Sequence, residues 1–338
     1  MPAATPYRRP VRPSSVTLVV VKRRRFLLAT SVVAVTACGL SAVGEFVEPS
    51  RGNGDAGPDA PFLLPDGAAV DGGGPADGNP DGNPNTACLA LCDGGCDSGT
   101  CVLDCSDGGA CVGAQVKCPT GIPCAVNCGA TGACDLGVDC TQAKSCEIAC
   151  NGSAACAAGV ACGGSDCKVD CTGPDKACDK GVQCDAGKCN IACGKDDCSG
   201  GPLLCSGNDC NIACGSDASV DEKNGCKGGV ICSATDNCTI ECFSEATCQN
   251  GIVVKTDGGA RVDCLGKAAC KGGIDVLARD ASITCAADDS CEGYVDCNDA
   301  GKCTFDCPVA NDKNIDLCCT TPNCVSDAAA CKVTPKCL

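Results

Sequence analysis

The chain has 338 residues, of which 43 are Cys and 44 are Gly, with no His, no Trp, two Tyr and five Phe. Cysteine at about 13% exceeds the roughly 8–10% at which a disulfide scaffold is the expected class, and it calls for an oxidising compartment. So few large side chains exclude a conventional aromatic-filled core, and a formal charge of −16 disfavours nucleic acid and anionic surfaces as partners.

Near the N-terminus, the basic run Lys22-Arg23-Arg24-Arg25 is followed by a short apolar stretch, Phe26 to Val35, and then by Val35-Thr36-Ala37-Cys38. The apolar run is too short to cross a bilayer as a helix. An aliphatic residue, two small residues and a Cys resemble the lipobox of bacterial lipoproteins. The resemblance implies a diacylglycerol thioether on Cys38, which becomes the mature N-terminus and attaches the chain to a membrane through acyl chains. Residues 1–37 are then an N-terminal extension and signal peptide. Arg23-Arg24-Arg25-Phe26-Leu27 also resembles a twin-arginine motif, and Val21 is a second candidate start. General secretion is the favoured route, because the body needs oxidation outside the cytoplasm to fold. Removing the seven basic residues before Cys38 leaves 19 Lys plus Arg against 42 Asp plus Glu, a balance of −23. Solubility of a repetitive chain accounts for this charge, with a cation or a cationic surface as the other reading.

Residues 38–87 lack periodicity and end in DGGGPADGNPDGNPN. Gly, Pro, Asp and Asn cannot bury enough apolar surface to order the segment, which reads as a disordered tether spanning roughly 35–42 Å. Its Asp-Gly pairs lack the alternating ligands and closing Glu of a calcium loop.

From Cys101 the chain repeats with a period near 22. Successive units begin at Cys101, Cys124, Cys146, Cys167, Cys189, Cys210, Cys238 and Cys303, with Ala260 and Ala281 at that position in two degenerate units. In Cys146-Glu147-Ile148-Ala149-Cys150, alternate residues share one face, as in a strand, and Val160 and Cys162 repeat the alternation. Gly-rich and Asp-rich turns separate the two short strands. Strands recurring at a constant short period predict an all-β, disulfide-stapled parallel β-solenoid, right-handed and β-helix-like, of about ten 22-residue coils. The alternative is a string of small disulfide-rich modules. The solenoid is expected over residues 88–306, with a Cys-rich cap over 307–338.

With Cys38 reserved for lipid, the other 42 cysteines are even in number. The degenerate units lose cysteines in pairs, Val254 with Ala260 and Val276 with Ala281. Paired loss points to bridges across the short turn, as in Cys162–Cys167, Cys184–Cys189 and Cys232–Cys238, with the other turn closed by Cys150–Cys156, Cys171–Cys178 and Cys264–Cys270. Cys140, Cys146, Cys193, Cys198, Cys205, Cys210, Cys242 and Cys248 stand at the same kinds of position and are further candidates. The competing reading bridges adjacent coils; it strands Cys232 or Cys297, which favours the turn-closing version.

No C-x-C, C-x-x-C or His points to a metal site, and no triad, P-loop or dinucleotide fingerprint is present. The outward column Val102, Ala125, Glu147, Lys168, Asn190, Asn211, Thr239, Arg261, Ser282, Thr304 shares no chemistry. The longest deviation between repeats is the insertion from Gly215 to Gly225, read as a projecting loop. Lipobox and repeat composition together resemble bacterial cysteine-rich repeat lipoproteins. The expected function is that of a non-enzymatic cell-envelope lipoprotein, structural or adhesive, at the outer membrane or cell surface. Its expected partners are the membrane, through the N-terminal lipid, and a cell-surface protein or polysaccharide; no cofactor, metal or nucleic acid is expected. A carbohydrate-active β-helix enzyme and a metal- or redox-active cysteine-rich protein are the alternatives.

Overall fold

The computed structural model describes residue 92 and residues 95–107, 111–215, 224–297, 299–307, 311–318, 324–326 and 331–335. The signal segment with Cys38, the tether and most of the insertion lie outside these residues. The described chain is all-β, and every strand belongs to one continuous sheet.

Ten first-strand rungs stack in parallel, starting at Cys101, Cys124, Cys146, Cys167, Cys189, Cys210, Cys238, Ala260, Ala281 and Cys303. Nine turns of the winding separate the first rung from the last. The register is the one the repeat dictates, and both alanines of the degenerate units fall where cysteine stands elsewhere. A continuous register of this kind excludes separate modules. One antiparallel pair, Cys96–Asp97 with Thr100–Asp104, precedes the stack. Within 307–338, the strands Asn311–Cys318, Cys324–Ser326 and Cys331–Pro335 continue the parallel pairing.

Alternation decides which side chains face inward. Val126, Ile148, Val169, Ile191, Ile212, Ile240, Val262, Ile283 and Phe305 form one buried column, and Val138, Val160, Val182, Leu203, Val230, Ile252, Ile274 and Val295 form another. β-Branched side chains stacked at the strand spacing pack well on a pleated surface and fill a narrow interior without aromatic bulk. Each such side chain, fully buried, stabilises by about 1.5–3 kcal/mol.

The short turn differs from the expected polar break. In the central coils the second strand of one unit and the first strand of the next run on as single strands, Val160–Cys171, Val182–Cys193, Leu203–Cys214 and Val230–Cys242. The bend residues keep their partners in the next coil, Gly163 with Asp185 and Gly164 with Ala186. A glycine at φ +97 in Gly164 lets the backbone turn the corner; a Cβ there would press on the carbonyls of Ala143 and Lys144.

The longer turn is also stacked. The amides of Cys156, Cys178, Cys198 and Cys270 donate to the carbonyls of Ala133, Ala155, Ala177 and Thr247 one coil earlier. These cysteines, with Cys111, Cys134, Cys226, Cys248 and Cys291, hold φ between 50° and 57°. The left-handed conformation costs a non-glycine residue about 1–2 kcal/mol, so each long turn is a strained corner held in shape by its bridge and its hydrogen bonds.

Candidate functional site

Four cysteine columns follow the stack, two at each bend, nearly all buried; the two at the short bend are interrupted by Val254 and Ala260 and by Val276 and Ala281. Across the short bend the bridges are Cys118–Cys124, Cys162–Cys167, Cys184–Cys189, Cys205–Cys210, Cys232–Cys238 and Cys297–Cys303. Across the long turn they are Cys105–Cys111, Cys128–Cys134, Cys150–Cys156, Cys171–Cys178, Cys193–Cys198, Cys214–Cys226, Cys242–Cys248, Cys264–Cys270 and Cys285–Cys291. The turn-closing version is therefore the one observed. Since the short bend carries the chain from one unit to the next, bridges there tie neighbouring units at their junction. None of these bridges joins two cysteines stacked in register.

Cys140 and Cys146 depart from the scheme. Expected to bridge each other, they carry free thiols. Cys140 Sγ is turned toward the preceding coil and lies 2.6 Å from Cys118 Sγ. The Cys146 thiol donates to the Cys140 carbonyl at 3.6 Å. The neighbouring Cys146 side chain, and then burial, push the Cys140 thiol above the usual thiol range. The site contradicts this one pair among the candidates; Cys193, Cys198, Cys205, Cys210, Cys242 and Cys248 pair as their positions suggest.

The outer faces carry scattered polar chemistry. Glu147 and Lys168 are register partners and form an ion pair at 2.7 Å, with both side chains well exposed. Arg261 clamps the buried Asp263 carboxylate on its own strand at 2.7 Å. Lys271 pairs with Glu292 at 2.9 Å. Asn127 donates to Asp104 and Asn237 to Asp209 across coils. Solvent screens the exposed pairs, and those that join coils read as lateral fastening of rungs rather than as a reaction centre; the Arg261–Asp263 pair lies within one strand.

An open groove of about 390 Å³ runs beside the second strands. Gly137, Gly159 and Gly181, at φ of 89°, 95° and 90°, floor it, and Leu136, Lys180, Gln183 and Leu204 stand along it. Among the described residues Lys180 is the one ionisable side chain on its lining, which brings no carboxylate pair together there. Further along the same face Leu204, Ile231 and Val253 are register partners, followed by Asp275 and Asp296. Partial burial, and then the charges of Asp296 and Asp299, push the Asp275 carboxyl above the ordinary carboxylate range.

The outward column that begins at Val102 is assembled as the repeat implies, and it has no common chemistry. Of the insertion, the structure describes the Cys214–Cys226 bridge that closes it and Asn224, which donates to Asp196 at 2.8 Å. Its acidic residues lie outside the described residues. The glycine column was readable as a recurring G-φ-x-C, but its role as a groove floor depends on stacking. The chain matches no protein-family model, no curated protein and no solved structure. What the structure itself defines is a class, the parallel β-solenoid with a disulfide at nearly every corner.

Proposed function

We propose that the chain is a non-enzymatic envelope lipoprotein, anchored through acylated Cys38 and presenting a stiff rod-like stack for a structural or adhesive role. The observation that carries this reading is the disulfide ladder, since corners bridged coil after coil favour assembly outside the reducing cytoplasm. The order of basic run, short apolar run and lipobox before the tether supports an acyl anchor. Outer faces of mixed polarity suit contact with a cell-surface protein or polysaccharide, and the acidic balance disfavours nucleic acid.

Mass spectrometry of the envelope-derived protein tests the anchor. The expected result is a diacylglycerol-bearing N-terminal peptide starting at Cys38, and release of the Cys38→Ser variant from the membrane fraction. Envelope protein that retains residues 22–37 overturns the anchor. Binding of the tether-free body to whole cells and to isolated surface polysaccharide tests adhesion. Hydrolysis or elimination of a glycan by that body would replace the adhesive reading with the carbohydrate-active one.

A further inference from the structure

We propose that Cys118, Cys124, Cys140 and Cys146 form a thiol–disulfide exchange unit, in which the corner bridge Cys118–Cys124 interchanges with a rung-to-rung bridge Cys118–Cys140. Two adjacent coils meet here with one bridge and two thiols, whereas the next bends along the stack, at Cys162 and Cys167 and at Cys184 and Cys189, are each closed. Cys140 Sγ is in contact with Cys118 Sγ, one of the two sulfurs of the Cys118–Cys124 bridge. The sulfurs of Cys118, Cys124 and Cys140 all lie within 4.8 Å of one another. The backbone fixes the rest of the quartet: the Cys118 amide donates to Asp139 O at 2.9 Å, which seats Cys118 beside Cys140, and Cys124 is the register partner of Cys146.

The exchange conserves atoms and electrons. The Cys140 thiol loses its proton, and its sulfur attacks Cys118 Sγ. The Cys118–Cys124 bond breaks, and Cys124 leaves as a thiolate that takes up a proton. One disulfide and two thiols stand on each side, so no external oxidant is consumed. Both states leave Cys146 as a thiol. All four sulfurs are buried, which keeps the exchange intramolecular and shields it from outside thiols. The two states differ mechanically. The corner bridge closes a six-residue separation, whereas the second bridge closes 22 residues and links two stacked coils directly. A longer closed loop constrains the unfolded chain more, so exchange would reinforce this end of the stack. Because Cys146 and burial disfavour the Cys140 thiolate, exchange is slow at neutral pH and slowest in acid, and mild acid preserves the distribution for measurement.

The test is a bridge map of the oxidised full chain. Thiols are labelled with N-ethylmaleimide in denaturant at mildly acid pH, before and after incubation at mildly alkaline pH, and the bridges are read by peptide mass spectrometry. The expected pattern is full label on Cys146, none on Cys118, and a second label divided between Cys140 and Cys124, any gain on one matched by loss on the other. The Cys124→Ser variant is expected to carry a Cys118–Cys140 cross-link. A Cys140–Cys146 bridge with no label on the quartet overturns the proposal. So does full labelling of Cys140 after the alkaline incubation, or a Cys124→Ser protein with both Cys118 and Cys140 labelled. If that variant does not fold, the bridge map of the parent chain decides.

Discussion

Cys232 and Val254 are register partners on adjacent rungs, yet only Cys232 is tied covalently across its bend, to Cys238. Val254 and Ala260 stand at the ends of the equivalent bend, both buried, and Ala260 is the register partner of Cys238. The unbridged bend thus keeps its register with the bridged neighbour on both sides, although its strand is interrupted between Thr256 and Gly259.

Restoring the sulfurs should restore the bridge. The double variant Val254→Cys/Ala260→Cys is expected to form a disulfide and to gain about 2 kcal/mol, as closing a six-residue loop predicts. Val254→Cys alone leaves a buried thiol and gains nothing. Thiol titration and thermal unfolding of the three proteins check this; two more titratable thiols in the double variant than in the parent contradict it.

The long turns offer a second test through backbone strain. Ala154 and Ala268 hold φ of 55° and 54°, conformations that cost an L-residue with a Cβ. Replacing either with Gly should stabilise by about 1 kcal/mol or less, because relief of strain outweighs the added freedom of the unfolded chain. Gly159 behaves oppositely. It holds φ +95, and a Cβ there would stand 2.8 Å from Gly181 O. Gly159→Ala should cost about 1–3 kcal/mol. Denaturant midpoints of the three variants check the signs.

Asp275 sets a pH dependence. Its carboxyl is raised by burial and by Asp296 and Asp299, so the folded state holds a proton over a window in which the unfolded chain has lost it. Stability from this group therefore falls as pH rises through the window above the ordinary carboxylate range, and recovers as pH drops back through it. Asp275→Asn should raise the unfolding midpoint at neutral pH and make no difference in acid. Like charges directly opposite each other on adjacent strands destabilise by about 0.2–1 kcal/mol, which sets the size of the gain. A variant equal to the parent at neutral pH contradicts this.

Reduction should abolish cooperative folding. The interior is columns of Cys, Val and Ile, and the left-handed cysteines at the long turns are held by their bridges. Without those bridges each corner is free to relax, and neighbouring corners lose their hydrogen-bonded partners in turn. Far-ultraviolet circular dichroism with and without a strong reductant measures this; a reduced protein that keeps its strand signal and a sharp transition contradicts it.

The sequence made the rungs legible because two periods coincide, an alternation of two within Cys-x-φ-x-Cys and a repeat near 22 between units. Paired loss at Val254 and Ala260 was enough to choose turn-closing bridges. Three features were out of reach for physical reasons. The short bends stay in the sheet because their amides find partners one coil away, and propensity read along a single unit does not register that pairing. The left-handed cysteines follow from turn geometry, and cysteine has no composition signal for positive φ. Cys140 and Cys146 occupy the standard spacing, and what separates them is the direction in which Cys140 Sγ points.

The corner bridges also determine how the stack responds to force. A 22-residue coil drawn out fully spans about 75 Å. Bridges such as Cys150–Cys156 and Cys162–Cys167 hold their ends near 6 Å apart, so they hide about 14 Å and about 11 Å of contour length from a pulling load. A coil peeled from the end therefore yields only about 45–50 Å while its sulfurs stay bonded. Since the bridges described in the ladder do not link stacked rungs, coils detach one after another instead of all at once, and a pulled rod lengthens in short, repeated steps.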